Sequence, residues 1–417
     1  MDYYPRTVDR PLTELLEAMG GVLVQGPRGC GKTATSLKHS RSSIRFDASP
    51  QLVRTAELAP RSLLAGATPR LLDEWQLAPD IWNAARHEID SRREPGQFIF
   101  SGSASPLPDK SRHSGAGRIA RLTMRTMTLS ERRASSDQIS FQALRSGTQQ
   151  VQAMAALDYE ELAEQAVRGG WPGLLDRPTG AASIFNQSYC ADLADAEISA
   201  PGLPAHNPAR MRQFLASLAR NISQQPTLRT LASDVSGSGT SISVDTVRAY
   251  LDALTRVFAV EEVPAWSPAL RSRSRLRAKP KLHLADPALA CAAIGMTPER
   301  LRRDPEYFGQ IFESMVVHDL RVYAEAQGGQ VFHYRDNTEL EIDAIIEYSF
   351  NDWAAVEVEL GWRQIPEAEK NLLTLRDERV DPDRVGRPAF LAVITGTESA
   401  YTLPSGVHVV PLATLTA

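Results

Sequence analysis

Residues 26–33 read Gly26, Pro27, Arg28, Gly29, Cys30, Gly31, Lys32 and Thr33. The pattern G-x-x-x-x-G-K-[ST] is chemistry for holding phosphate. Glycines let a loop turn its N–H groups inward without a Cβ in the way, and a following helix adds the positive end of its dipole. In such a loop Lys32 would reach the β- and γ-phosphates and Thr33 would hold Mg²⁺. The pattern has this meaning only between a strand and a helix. Both are legible: "GGVLVQG" (20–26) is a short apolar run suited to a buried parallel strand, and "KTATSLKHS" (32–40) can open a helix.

A phosphate cradle alone only binds, so the next question is what could act on the phosphate. In "PRLLDEWQ" (69–76) a short apolar strand ends at Asp73 and Glu74. Ligands lie at the C-terminal ends of strands in open parallel sheets. There Asp73 can hold Mg²⁺ through water and Glu74 can polarise an attacking water. An acidic helix cap is the plainer reading of the pair. "QFIFSGSASP" (97–106) is a further buried strand ending in serines. Ser101 or Ser103 could hydrogen-bond a γ-phosphate, or simply end a strand. Arg118, in "SGAGRIARL" (114–122), could serve as an arginine finger in cis or across a subunit interface, with Arg121 and Arg125 as competitors and a surface role as the alternative. The expected catalytic set is therefore Lys32, Glu74, Ser103 and Arg118.

The succession "GPRGCGKT", "LLDEWQLAPDIW", "FIFSGSASP", "GAGRIARLTMRTMTLSE" resembles prokaryotic AAA-type (AAA_14-like) P-loop ATPases that carry a C-terminal DUF4143 domain. "VRGGWPGLL" (167–175), "LHLADPALA" (282–290), "FGQIFESMVVHDL" (308–320) and "YRDNTELEIDAIIE" (334–347) are similar to later landmarks of that family. The resemblance implies ATP rather than GTP. It also implies an α/β P-loop core with an additional-strand parallel sheet, then a winged-helix segment and a restriction-endonuclease-like α/β domain. The expected divisions are 1–135 for the ATPase, 136–204 for a helical lid or connector, 205–282 for the winged helix, and 283–417 for the C-terminal domain.

The rest of the composition bounds the partners. The chain has 417 residues, a net charge of −4 and 42% hydrophobic residues, the balance of a globular protein of two or three domains. No apolar run reaches 18 residues and the N-terminus lacks a signal-peptide pattern, so no membrane segment is expected. Cys30, Cys190 and Cys291 have no metal spacing, which suits a reducing, cytoplasmic compartment.

Residues 126–165 read as helices and a loop closing the ATPase domain. From 205 to 265 the pattern is a helix (209–222), a shorter helix (227–235), a turn, and a longer helix (243–260) with Ser243 as N-cap. This order suits a winged helix-turn-helix, with Thr246, Arg248 and Arg256 exposed for DNA, or an internal packing module. In "RSRSRLRAKPK" a cation stands at every second position: Arg271, Arg273, Arg275, Arg277, Lys279 and Lys281. On a strand these would form one row with a spacing of about 6.5–7 Å. Such a row can track a phosphate backbone, pair with acidic surface, or be a solvated wing.

The C-terminal third reads as strands and helices with Glu313, Asp343 and Glu357 in the order of a PD-(D/E)xK nuclease. The lysine position of Glu-x-Lys is Glu359, which inverts the charge where an anion must be held. Arg363 or Lys370 could substitute, or the domain is an inactive relative. Three functions follow: Mg²⁺-dependent ATP hydrolysis driving a conformational switch on DNA or a partner protein; a nucleotide-gated DNA-binding or protein-interaction module with little turnover, including self-association; and, more weakly, a metal-dependent nuclease.

Overall fold

Strands β1 (Gly21–Gln25), β2 (Ser42–Arg45), β3 (Arg70–Asp73), β4 (Phe98–Gly102) and β5 (Ile119–Thr123) form one parallel sheet in the order β2-β3-β4-β1-β5. In this computed structural model the described residues are 3–103, 115–195, 207–236, 242–268, 279–349 and 351–417. The three inner strands, β1, β3 and β4, are short and apolar because both faces are covered. Leu23, Leu72, Phe98 and Phe100 pack on one face with Trp75, Ile81, Trp82 and Ile89. Val22, Val24, Leu71 and Ile99 pack on the other with Leu12, Leu16 and Met124. β4 lies between the strand before the phosphate loop and the strand ending in Asp73, which is the additional-strand arrangement the resemblance implies.

The chain divides into two compact units, one of residues 1–126 with 256–258, the other of 127–255 with 259–417. The second unit is built on a seven-stranded mixed sheet, β10 (Gln330–Arg335), β11 (Glu341–Ser349), β12 (Asp352–Glu359), β13 (Leu391–Thr395), β15 (His408–Pro411), β14 (Ser399–Thr402) and β7 (Ala153–Met154). The long helix Pro305–Glu325 and the helix Ile365–Thr374 pack against it. Its central strands are apolar on both faces, with Ile342, Ala344, Ile345, Val356 and Val393 fully buried.

Residues 126–165 depart from expectation. Instead of closing the first unit, they belong from Met127 onward to the second. β6 (Ile139–Ser140) pairs with β16 (Leu415–Thr416), and β7 adds an edge to the C-terminal sheet through β14. Strands of two residues carry no periodicity to read. Helices Pro208–Arg220, Leu228–Val235 and Val244–Arg256 form as anticipated, with Met211, Phe214, Leu215 and Leu218 buried on the first. The Ser243 hydroxyl accepts from Thr246 N at 3.1 Å. β8 (Val260–Val263) and β9 (Lys281–Leu284) then pair antiparallel.

Two sequence landmarks meet inside this unit. The Asp286 carboxylate accepts from Gly170 N at 2.7 Å and caps the helix Pro287–Ala293. A Cβ on Gly170 would stand 2.2 Å from the Met127 carbonyl oxygen. Only glycine lets these backbones approach so closely.

Candidate functional site

At the C-terminal end of β1 the chain turns through residues 26–31 and enters the helix Lys32–Lys38. Gly26 has φ +152, and a Cβ there would fall 2.0 Å from the Met124 carbonyl oxygen. Gly31 caps the helix at φ +106. Cys30 is fully buried, and its thiol donates to Met124 O at 3.5 Å. Arg28 and Gly29 face outward, while Pro27 is buried. The Lys32 ammonium turns back into the loop and donates to the carbonyls of Gly26 (2.9 Å) and Pro27 (2.7 Å).

Thr33 and Asp73 come together across the sheet edge. The Thr33 hydroxyl lies 3.1 Å from both Asp73 carboxylate oxygens, and Asp73 is 1% exposed. Hydroxyl and carboxylate oxygens are the donor types a hard cation such as Mg²⁺ takes, so this pair fits the ion. Arg45 Nε stands 3.7 Å from the same carboxylate. Glu74 follows in a left-handed conformation (φ 53, ψ 39), and Gln76 Nε2 donates to its carboxylate. In register with Asp73, Ser101 stands one residue before the end of β4, its hydroxyl buried and without a hydrogen-bond partner among the described residues. Ser103, two residues on, is also buried.

Arg118 is not brought to this edge. It precedes β5, whose Ile119 aligns with Gly21 at the start of β1. Five strand residues, about 16 Å, separate that end from the loop's end. Its guanidinium pairs with Asp90 at 2.6 Å, and each side chain is about 40% exposed. Arg121 lies in mid-strand beside Gln25, and Arg125 is buried beyond the strand's C-terminal end.

Sequence reasoning missed Arg6. Buried at 7% exposure, it donates to Cys30 O (2.8 Å) and Arg125 O (2.9 Å), tying the loop backbone to the segment after β5. Nothing in a lone arginine near the N-terminus signals this.

A second cluster lies in the other unit. Glu313 on the helix Pro305–Glu325 and Asp343 on β11 do converge, with Glu357 and Glu359 on β12 adjacent. Asp343 Oδ2 accepts from Val358 N, and Glu357 accepts from Asp343 N and from Asn371. Burial and the neighbouring Asp343 push Glu313 up to about 8 and Glu359 up to about 7, and raise Glu357.

The cation in the cluster is neither Arg363 nor Lys370, both of which are exposed, but Lys281. It lies 2.8 Å from Glu313, 2.9 Å from Asp343 and 3.0 Å from Glu341. This corrects the alternating basic row: Lys281 is 3% exposed and faces carboxylates, while Lys279 is exposed. Arg271, Arg273, Arg275 and Arg277 lie outside the described residues.

Comparison with known proteins agrees with this layout. Residues 20–132 match the AAA domain family AAA_14, 159–300 match a domain of unknown function (DUF8612), and 308–415 match another (DUF4143). The chain thus carries an AAA-type P-loop domain of the AAA_14 kind and a C-terminal DUF4143 domain. Uncharacterized proteins of Mycobacterium bovis and Mycobacterium tuberculosis are each 26% identical to it over 336 residues, 79% of this chain and 68% of theirs. Among solved structures, the Walker-type ATPase PABY2304 of Pyrococcus abyssi aligns with a TM-score of 0.44 and 14% identity, over 70% of this chain and 96% of that one. Among the described residues no helix is long and apolar enough to cross a membrane.

Proposed function

We propose that the first unit binds ATP with Mg²⁺ on residues 26–33 and hydrolyses it to ADP and phosphate. The observation that carries this reading is the Thr33 hydroxyl on the buried Asp73 carboxylate, one residue from Lys32 and one from Glu74. Lys32 would exchange its two loop carbonyls for phosphate oxygens, an exchange of neutral acceptors for charged ones. Thr33 and Asp73 would hold Mg²⁺, which neutralises charge on the phosphates when bound. Glu74 would take a proton from water, and the orphaned Ser101 hydroxyl, or Ser103, would donate toward the terminal phosphate.

The test is steady-state ATP hydrolysis by wild type, Lys32→Ala and Glu74→Gln. Lys32→Ala should lose nucleotide affinity. Glu74→Gln should retain binding and lose about 10²–10⁴-fold in turnover. Turnover that survives both substitutions rejects the assignment.

A second reading has its own support. It rests on the exposed Lys279 near the end of the alternating run of cations. In that reading turnover is slow, and nucleotide gates contact with DNA or a protein partner, with Lys279 and the arginines at 271–277 as the DNA-facing charges. Salt-dependent retention of duplex DNA by the full chain, altered by ATP, favours it. Hydrolysis that is fast and indifferent to DNA disfavours it.

A further inference from the structure

Lys281 is one of six lysines in the chain, and its surroundings are unlike those of a surface cation. It starts β9, is buried, and its ammonium is shared by Glu313, Glu341 and Asp343 from a helix and a neighbouring strand. Glu357 and Glu359 lie just beyond, around Asp343. Three carboxyl groups from two elements thus hold one cation, and two more stand behind Asp343. An ammonium with three donors suits three acceptors. The three oxygens at 2.8–3.0 Å stand about 0.5 Å farther out than oxygens around Ca²⁺ and about 0.8 Å farther than those around Mg²⁺. Yet among the described residues no group of three His, Cys, Asp or Glu is arranged to hold a metal. The oxygens are spread to the radius of the ammonium.

We infer that Lys281 is the resident cation of this carboxylate cluster, standing where a divalent ion would otherwise sit. The C-terminal unit as built therefore takes no divalent metal between these carboxylates. Removing the ammonium leaves carboxylates buried without a counter-charge, a state a hard divalent cation relieves. Lys281 also pins the chain directly after the arginine-rich segment to the helix Pro305–Glu325 and β11, so its role is to close the cluster rather than to touch nucleic acid.

The experiment uses the full chain without nucleotide and Mn²⁺ as the probe, counted by electron paramagnetic resonance. Wild type and Asp343→Asn should bind the same amount of Mn²⁺. Lys281→Ala should gain one Mn²⁺ per chain, and Lys281→Ala with Asp343→Asn should lose it again. An Asp343-dependent Mn²⁺ site in wild type overturns the inference, as does a folded Lys281→Ala chain that gains none. Should Lys281→Ala fail to fold, wild type still decides through ¹⁵N-lysine ammonium resonances. At about pH 8 exposed lysine ammonium protons exchange rapidly, whereas a buried charged one stays visible. A slowly exchanging signal that is absent from Lys281→Arg but kept in Lys32→Ala, and unmoved by Mg²⁺, is expected. Its absence, or its displacement by Mg²⁺, rejects Lys281 as the resident cation.

Discussion

Thr33 and Asp73, 40 residues apart in the chain, meet with the hydroxyl 3.1 Å from each carboxylate oxygen. The contact joins the first turn of the loop's helix to the end of β3, across the additional strand β4. Asp73→Asn keeps the shape and removes the charge. Nucleotide binding without metal should survive, while the gain in affinity from Mg²⁺ should fall by about 10–100-fold, the usual loss on weakening a metal's carboxylate support. Titration of a fluorescent ATP analogue with and without Mg²⁺ measures it. An unchanged Mg²⁺ dependence removes Asp73 from the metal's surroundings.

Ser101 gives a prediction of opposite sign for stability and activity. Its hydroxyl is buried with no hydrogen-bond partner among the described residues, so replacing it removes no protein hydrogen bond seen there. Ser101→Ala should therefore leave the melting temperature unchanged or raise it, while lowering kcat more than it raises KM. A fall in melting temperature would mean that the hydroxyl is satisfied in the resting chain, and an unchanged kcat that it plays no part in hydrolysis.

Arg118 separates a single-chain mechanism from one that needs a second copy. It sits at the strand end opposite the phosphate loop and pairs with Asp90 on a half-exposed surface. Arg118→Ala should leave turnover of dilute, monomeric chain within about twofold, since exposed ion pairs contribute little. If turnover rises with chain concentration and Arg118→Ala abolishes only that rise, the arginine acts across an interface. A large loss in the monomer contradicts the placement.

Much of the first unit was legible because its signals are local. A strand, a glycine loop and a helix follow one another within residues 20–40, and β3 and β4 carry Asp73 and Ser101 at or beside their C-terminal ends, whereas β2 and β5 have no such mark. Arg118 looked equivalent because sequence shows that a residue adjoins a strand, whereas its value depends on which end. Lys281 was misread for a related reason. Alternation in "RSRSRLRAKPK" describes a period, but burial is decided by what folds over the strand, here the helix Pro305–Glu325 and β11. The edge strands β6 and β7, two residues each, are long-range pairings with no local signature at all. The acids Glu313, Asp343 and Glu357 were found by spacing. What neutralises them was not, because it comes from more than 30 residues upstream of the nearest of them.

The surplus of acids makes the second unit's stability depend on pH in a definite direction. Burial, with Asp343 and Glu367 nearby, pushes Glu359 from 4.5 up to about 7. Between those values the folded chain holds a proton that the unfolded chain has released. Folding then binds protons, so stability falls as pH rises through that window and levels off above it. Glu313, pushed up to about 8, and Glu357, also raised, act with the same sign. Lys281, whose three carboxylates outweigh its burial, stays charged throughout and adds no slope. Glu359→Gln is neutral at every pH. It should match wild type near pH 4 and melt a few degrees higher near pH 8, a modest gain because the side chain is only partly buried and solvent screens it. Thermal melts of both chains across that range measure the difference. Parallel curves would mean that Glu359 ionises freely despite its neighbours, and that the cluster tolerates more negative charge than one lysine balances.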